Sequence, residues 1–197
     1  MKIALIPGHG WRKRSGGMRW DPGASDDGVQ EAHIVREVAA ACAEEGGGSV
    51  RVFDSTRSST GSYTERRTAA EQWIGAGPGV VVHLHCNAGQ GTYLMAMHDH
   101  RSSLGAERAR QWCKAADKVL RGLFNFNPDE KVVATRDDDW TSRGHSLLKA
   151  SYASTPAGVC AVLVEVGFID SDQHDGLWTA EGIALQAKTI LKAWSQA

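Results

Sequence analysis

Short apolar runs alternate along the chain with segments whose apolar residues recur every three or four positions. The runs are typical of buried strands, and the longer spacing is typical of amphipathic helices. Strands are predicted over residues 2–6, 50–53, 79–85, 92–98 and 159–164. Helices are predicted over residues 29–45, 62–74, 104–123 and 183–194. This alternation predicts an α/β fold, a single domain over residues 1–197 with a mixed, largely parallel central sheet flanked by helices.

Two segments lack either periodicity. Residues 11–28 are rich in Gly, Ser, Arg and Asp, and we expect them to form a long surface loop of the kind that usually serves a site. Residues 124–143 are polar and are expected to be irregular.

Composition narrows the class of protein. A chain of 197 residues can bury roughly 70% of its unfolded surface without a stabilising metal, so a metal ion here would serve chemistry. The net charge of -1 makes nucleic acid an improbable partner. The four cysteines are widely spaced, which favours reduced, individually buried thiols. No window is long and apolar enough for a membrane span or a signal peptide, and a monomer is expected.

Three of the apolar runs lead directly to a side chain that can bind a metal ion or move a proton: His9, His85 and Glu165. In open α/β sheets the functional crevice lies beyond the carboxyl ends of the strands, so these side chains are expected at one edge. Glu31 lies on the apolar stripe of a predicted helix, where a carboxylate is unfavourable unless it is paired or bound to a cation. Two imidazoles and one carboxylate, with a fourth position left for water, form a known catalytic zinc set.

His83 introduces an ambiguity about the second imidazole. It lies two residues before His85 in a predicted strand, so both side chains point to the same face and either can reach a metal ion. The alternative is that His83 is a buried histidine of the core or one that supports the ligands.

The order of several short motifs resembles the zinc-dependent N-acetylmuramoyl-L-alanine amidases of bacterial autolysins and phage endolysins. The similarity extends over nearly the whole chain. The motifs are Pro7-Gly8-His9-Gly10, Asp21-Pro22-Gly23-Ala24, Gly28-Val29-Gln30-Glu31, Tyr63 to Arg67, His85-Cys86-Asn87-Ala88 and Glu165-Val166-Gly167-Phe168-Ile169-Asp170-Ser171.

The resemblance implies that His9, Glu31 and His85 bind one zinc ion per chain, that Glu165 is the catalytic carboxylate and that peptidoglycan is the substrate. It favours His85 over His83 as the ligand. The chain departs from the family pattern without losing a ligand. The family often has Asp, Gly and Ser where this chain has Ile6, Trp11 and His83.

The implied reaction is hydrolysis of the amide between the lactyl group of N-acetylmuramic acid and L-alanine. Zinc would lower the pKa of a water molecule toward roughly 7 and polarise the carbonyl. Glu165 would accept the proton of that water and deliver it to the leaving amine. Asn87, Arg66 and Arg143 are candidates for gripping the substrate, although a solvated or structural role explains each equally well.

Two alternatives remain open at this stage. A zinc carboxypeptidase or another amidohydrolase on a related fold would cleave a different bond of the stem peptide. A non-catalytic wall-binding relative would keep the fold without activity, but the intact set of four polar side chains argues against it. The setting is either a phage endolysin, held in the host cytoplasm before it reaches the wall, or the extracellular catalytic domain of an autolysin.

Overall fold

The computed structural model describes residues 1–56, 62–120, 129–136 and 142–194. Its strands are β1 (Lys2–Pro7), β2 (Gly10–Arg14), β3 (Gly17–Asp21), β4 (Ser25–Asp26), β5 (Val29–Gln30), β6 (Val50–Val52), β7 (Gly79–Asn87), β8 (Tyr93–Asp99), β9 (Asp129–Thr135) and β10 (Val159–Phe168). Its helices are α1 (Glu31–Gly46), α2 (Tyr63–Ile74), α3 (Ser103–Leu120), α4 (Ser142–Ser154) and α5 (Ala180–Trp194). Two short 3-10 helices, Gly47–Ser49 and Asp172–Trp178, complete the described elements.

A six-stranded sheet in the order β6-β1-β7-β10-β8-β9 forms the centre of the molecule. Strands β6, β1, β7 and β10 are mutually parallel. Strand β8 is antiparallel to β10, and β9 runs parallel to β8. The predicted single α/β domain with a mixed, largely parallel sheet is therefore confirmed.

Helices cover both faces of this sheet, which explains why its strands are almost continuously apolar. In β1, Ile3 and Leu5 pack in the core beneath α1, α3 and α5. Ala4 and Ile6 point the other way, into a smaller core beneath α2 and α4. The larger core holds most of the buried apolar side chains, whereas the smaller one gives way to the polar site at the carboxyl edge of the strands.

The expected long loop over residues 11–28 is wrong, because this segment forms two small antiparallel ladders. Strands β2 and β3 pair from Gly10 with Asp21 to Arg14 with Gly17, and β4 pairs with β5. The turn at Gly16 and Gly17 uses positive φ angles of 101° and 114°, which favour glycine. The β2–β3 ladder contains one edge-to-face pair of indole rings, Trp11 and Trp20, among charged and glycine residues. The sequence of this segment therefore shows no alternation of apolar and polar residues.

The expectation of irregular structure over residues 124–143 is also wrong where the structure describes it. Strand β9 adds to the edge of the sheet beside β8, and α4 begins at Ser142. Because β9 is an edge strand, Val132 is 37% exposed, and a partly exposed polar strand gives little periodic signal. Residues 121–128 and 137–141 lie outside the described part of the chain, including Leu123 of the predicted third helix.

The remaining boundaries follow the sequence closely. The predicted capping box is present: the Ser62 side chain accepts from the Glu65 amide, and the Glu65 side chain accepts from the Ser62 amide. Strand β10 runs on to Phe168, so Glu165 lies inside it, next to a register shift, and does not end it. The four cysteines are free and buried, as expected. Among the described helices, none is both long enough and apolar enough to cross a bilayer.

Candidate metal centre and active site

The four side chains singled out in the sequence meet at the carboxyl edge of the parallel strands. His9 follows β1, while His85 in β7 is paired in register with Glu165 in β10. Glu31 reaches the same edge from the first turn of α1. All of them line one cavity of about 540 Å³. The topology thus brings together residues that are far apart in sequence, as expected for the edge of an α/β sheet.

His9, Glu31 and His85 form a compact group of possible metal ligands. Nε2 of His9 lies 3.2 Å from Oε2 of Glu31, and Nδ1 of His85 lies 2.9 Å from Oε1 of Glu31. One ligand atom from each of the three residues lies within 4.8 Å of the others. The two imidazole rings meet edge to face, with their centroids 5.3 Å apart.

This geometry fits a zinc ion. Zinc bonds of 2.0–2.2 Å in tetrahedral geometry place neighbouring ligand atoms about 3.3–3.6 Å apart, so the observed contacts of 3.2 and 2.9 Å need to widen by only a few tenths of an ångström. Two glycines leave the space that the ligands need. A Cβ on Gly8 would lie 2.6 Å from Cε1 of His85, and a Cβ on Gly23 would lie 2.7 Å from Cδ2 of His9. Two imidazoles and one carboxylate beside an open cavity are typical of a catalytic zinc site, which keeps one position open for water.

The backbone at His9 is held in an unusual conformation. His9 has a φ of 56°, in the left-handed region that non-glycine residues rarely adopt. The Tyr63 hydroxyl accepts a hydrogen bond from the His9 amide at 2.9 Å, and Arg36 donates to the carbonyls of Gly8 and His9. Arg36 is fixed in turn by a 2.7 Å ion pair with Asp54. Strain of this kind is maintained where the surroundings over-determine it, often at functional sites.

Glu31 has all the hydrogen-bond partners that a buried carboxylate needs. Besides the two imidazoles, it accepts from the backbone amides of Ala24 at 2.9 Å and Cys86 at 3.1 Å. Burial alone would raise the pKa of Glu31, but hydrogen bonds from His85 and His9 and the charge on these imidazoles hold it well below its ordinary value. The Glu31 carboxylate is therefore ionised in the folded chain and available as a metal ligand.

Asp21 lies behind His9, on the side away from Glu31. Its carboxylate is 3.3 Å from Nδ1 of His9, 2.9 Å from the Arg12 guanidinium and accepts from the Gly23 amide. A carboxylate beside Nδ1 favours the tautomer with its proton there, which leaves the Nε2 lone pair available to a metal ion bound between His9 and Glu31. The hairpin β2–β3 is what brings Asp21 back beside His9.

Glu165 is in the opposite state to Glu31. It lines the cavity, and its Oε2 atom is buried with no hydrogen-bond partner among the described residues. Burial, followed by the negative charge of Glu31, raises the pKa of Glu165 to about 8. Such a buried polar atom, lying beside possible metal ligands, indicates a side chain that is available to bind a substrate or water.

The structure separates His83 from His85. His83 is fully buried, and neither ring nitrogen has a partner within the described ranges. Burial lowers the pKa of His83 to about 3, so the ring is neutral. Within the described chain, the ligand group contains His85 and not His83. His83 is thus placed in the core beneath the site.

Comparison with known proteins identifies the family of the chain. A family model of N-acetylmuramoyl-L-alanine amidases matches residues 3–193. The chain belongs to this amidase family. Comparison with curated proteins gives no match.

Solved structures of similar fold include other amidases. An N-acetylmuramoyl-L-alanine amidase from Clostridium difficile 630 superposes with a TM-score of 0.71 at 16% identity, covering 99% of this chain and 95% of that one. The amidase AmiC2 of Nostoc punctiforme gives a TM-score of 0.70 at 16% identity, with coverage of 100% and 96%. The catalytic domain of the CD27L endolysin targeting Clostridia Difficile gives 0.58 at 25% identity, with 97% of each chain covered.

The candidates for gripping the amidase substrate lie in different surroundings. Asn87 lines the cavity at the end of β7, with Oδ1 accepting from the Ala88 amide. Arg66 is 5% exposed and donates to the carbonyl of Pro7 at 2.8 Å, so its guanidinium supports the loop that carries His9. The backbone of Arg143 lies in the first turn of α4, but its side chain lies outside the described residues.

The sequence analysis assigned no role to three residues that hold the ligands: Tyr63, Asp21 and Arg36. Two of them carried a usable signal. Tyr63 directly follows the capping residue Ser62, which places it at a defined helix start, and Asp21 opens one of the family motifs. Arg36 carried no such signal, because its contacts with the loop before β2 depend on tertiary packing.

Proposed function

We propose that this chain is a zinc-dependent N-acetylmuramoyl-L-alanine amidase, and that residues 1–197 form its catalytic domain. One observation carries the proposal: His9, Glu31 and His85 converge within 4.8 Å in a cavity that also contains the Glu165 carboxylate, whose Oε2 atom has no partner among the described residues. Family membership indicates the reaction, and this cluster indicates how the chain performs it. The substrate is the amide between the lactyl group of N-acetylmuramic acid and L-alanine in peptidoglycan.

In this proposal His9, Glu31 and His85 hold one zinc ion. When bound, zinc supplies a Lewis acid that polarises the amide carbonyl and acidifies water. Asp21 keeps the proton of His9 on Nδ1, and the backbone amides of Ala24 and Cys86 keep the Glu31 carboxylate turned toward both imidazoles. The donor set is therefore arranged before any ligand arrives, which lowers the reorganisation that catalysis requires.

Glu165 is the proton carrier of the proposed reaction. Its carboxylate accepts a proton from the attacking water and then gives it to the nitrogen of the departing L-alanine. Its partly buried position and its negative neighbour Glu31 make the protonated form easy to reach, as the proton-delivery half of the cycle requires. A second function for Glu165 as an ion-pair partner has no support among the described residues, since Oε2 contacts no donor there.

The rest of the cavity suits the groups on either side of the scissile amide. Met95, Met97 and Leu163 line one part of it, opposite the polar ligands. The lactyl unit and L-alanine each carry one methyl group beside the amide, and an apolar wall favours their burial. Asn87 offers a polar side chain at the rim, where it can bond the peptide beyond L-alanine.

The direct test is digestion of purified peptidoglycan with the zinc-loaded protein, followed by mass spectrometry of the soluble products. We expect stem peptides with a free L-alanine amino terminus and glycan strands with free lactyl carboxylates. Release of single amino acids from the far end of the stem would indicate a carboxypeptidase. Binding to the wall without soluble products would indicate a non-catalytic module, and either result contradicts the proposal.

Metal removal tests the zinc part separately. Dialysis against a chelator is expected to remove one zinc ion per chain and to abolish product release, and added zinc should restore it. The fold is expected to survive this treatment in far-UV circular dichroism, because the core is large and the ligands lie at its edge. Full activity in a metal-free preparation would contradict zinc dependence while leaving the family assignment intact.

A further inference from the structure

The hydroxyl of Tyr63 contacts both histidines of the proposed metal site, His9 through its backbone amide and His85 through its imidazole. Its oxygen accepts the His9 amide at 2.9 Å and lies 3.5 Å from Nε2 of His85. The phenol ring stacks nearly parallel to the His85 ring, with an interplanar angle of 16°. The same side chain lines the cavity that contains Glu165. Tyr63 thus reaches the reaction centre from α2, an element that carries none of the assigned ligands.

The donors and acceptors around the Tyr63 hydroxyl determine where its proton points. A tyrosine hydroxyl donates one proton and accepts through its oxygen. The His9 amide takes up one accepting position. When Nδ1 of His85 is used as a metal ligand, Nε2 of the same ring carries the proton and becomes a second donor toward the Tyr63 oxygen. The Arg66 guanidinium also lies within hydrogen-bonding reach of Tyr63 and can only donate. The described polar neighbours of the hydroxyl are then all donors, and its own proton is left to point into the cavity.

Two guanidinium groups add positive charge at the same place. Cζ of Arg66 lies 4.3 Å from the centroid of the Tyr63 ring, and Cζ of Arg12 lies 5.3 Å from it. Arg66 is held by the carbonyl of Pro7, and Arg12 is held by Asp21. Tyr63 and Arg12 both line the cavity, and Arg66 is buried behind the Tyr63 ring. This wall therefore combines an O–H donor with fixed positive charge, an arrangement that stabilises developing negative charge.

We propose that Tyr63 is a further catalytic residue, whose hydroxyl donates a hydrogen bond to the carbonyl oxygen of the scissile amide. Negative charge develops on this oxygen as water adds to the carbonyl carbon, and the hydrogen bond strengthens at that moment. No proton is transferred from Tyr63, and Glu165 remains the group that moves protons. This assignment rests on the proposed amidase function and adds the residue that stabilises its transition state.

The test is the variant Tyr63→Phe, which keeps the ring, its stacking on His85 and its contacts with the two guanidinium groups. Removal of one such donor is expected to lower kcat about 10²–10³-fold. We expect KM to change less than about threefold, because the contact forms mainly in the transition state. The zinc content after dialysis and the melting temperature are expected to stay close to those of the wild type.

A second measurement does not depend on turnover. A phosphinate that replaces the scissile amide presents a tetrahedral oxyanion, and its affinity for the zinc-loaded protein can be measured by calorimetry. Tyr63→Phe should weaken this binding by about the same factor as kcat/KM. The matched control is Tyr93→Phe, because Tyr93 packs against Phe168 and Lys131 away from the ligands and should leave every measurement unchanged.

Each possible result of these measurements has a different meaning. If Tyr63→Phe keeps its kcat, or binds the phosphinate as tightly as the wild type, the hydroxyl is not a catalytic donor. If the variant loses zinc in proportion to kcat, Tyr63 only positions the ligands, and the proposal is overturned. If the wild type releases no stem peptides at all, the amidase function fails, whatever Tyr63 does.

Discussion

Two glutamates line the same cavity, and their surroundings differ in almost every respect. Glu31, at the start of α1, has hydrogen-bond partners on both carboxylate oxygens, including two backbone amides. Glu165, in the middle of β10, has a buried oxygen with no partner in the described chain. The pKa of Glu31 is well below its ordinary value, while burial and the charge of Glu31 raise that of Glu165 to about 8.

This contrast teaches how one cavity assigns two roles to one side-chain type. A carboxylate that is saturated with donors stays ionised and fixed, which is what a metal ligand must do. A carboxylate without donors can gain and lose a proton, which is what a general acid and base must do. Composition cannot distinguish the two, because the difference lies in the backbone amides and imidazoles around each group.

The largest effect is expected from Glu31→Gln. The substituted amide would turn an N–H group toward one of the donors that Glu31 now satisfies and would remove the charge between the two imidazoles. We expect the protein to lose zinc on dialysis, to lose turnover below detection and to lose about 3–5 kcal/mol of stability. Metal analysis and urea unfolding of the zinc-free forms measure these changes. Glu44→Gln, on the exposed side of α1, is the control. If Glu31→Gln retained its zinc, Glu31 would not be a required ligand, and the proposed difference in role between Glu31 and Glu165 would be wrong.

The opposite pattern is expected from Glu165→Gln. Since Glu165 is not a ligand in the proposal, the variant should keep its zinc, whereas kcat should fall about 10²–10⁴-fold. Its stability at pH 7 should be close to that of the wild type, because a pKa of about 8 leaves Glu165 mostly protonated and the substitution replaces one uncharged group by another. Product assays, metal analysis and urea unfolding test the three parts. A kcat within tenfold of the wild type would exclude Glu165 as the proton carrier.

The sequence predicted the parts of the site that depend on buried strands. Strands β1 and β7 are almost continuously apolar, so their presence, their limits to within two residues and the approximate positions of His9 and His85 could be predicted from the pattern. The hairpin β2–β3 could not, because its charged and glycine residues carry no alternation. As a result, Asp21 was quoted only as part of a motif, and its position behind His9 became visible only with the hairpin's register.

The protonation states of Glu31 and Glu165 also could not be predicted from the sequence. The helical stripe placed Glu31 on a buried face, but the amides of Ala24 and Cys86 that stabilise its charge come from two other segments. Glu165 was expected to end its strand, and the strand instead continues to Phe168. Its pairing with His85 is a matter of register between two parallel strands. Register depends on packing across the whole sheet, which local patterns do not specify.

A smaller effect is expected from Asp21→Asn, which weakens the support of one ligand without touching the metal ion. Burial alone would raise the pKa of Asp21, but the Gly23 amide and the charge of Arg12 bring it below its ordinary value, so the group is ionised against His9. The variant keeps an acceptor for Nδ1 but loses the charge. Zinc affinity, measured by competition with a chromogenic chelator, should fall about 10–100-fold.

The zinc-saturated Asp21→Asn variant should keep its kcat within a few fold, since the proton carrier is untouched. Asp26→Asn, in the exposed strand β4, supplies the control and should bind zinc like the wild type. An unchanged zinc affinity in Asp21→Asn would show that Glu31 alone orients His9. In that case the contrast between Glu31 and Glu165 would depend on the partners of Glu31 itself and not on Asp21.

The smallest effect is expected from Glu71→Gln, at a third carboxylate that lies between the two extremes. Glu71 in α2 is 8% exposed, accepts from the Ser154 hydroxyl at 2.9 Å and lies 3.4 Å from Nε of Arg67. Burial raises the pKa of Glu71 more than these two partners lower it. The folded chain therefore holds this proton more tightly than the unfolded chain. Its contribution to stability is present below the unfolded pKa of about 4.5 and declines as the pH rises through the raised value.

Glu71→Gln keeps an acceptor for Ser154 but has no proton to lose, so the variant should lack this decline. We expect it to gain about 1 kcal/mol or less relative to the wild type when urea unfolding at pH 7.5 is compared with unfolding at pH 4. Glu37→Gln on the exposed face of α1 should show no such gain. A relative loss at pH 7.5 would mean that the ion pair with Arg67 outweighs burial. Two partners would then be enough to keep a buried carboxylate ionised, and the raised pKa of Glu165 would depend on Oε2 having no donor among the described residues.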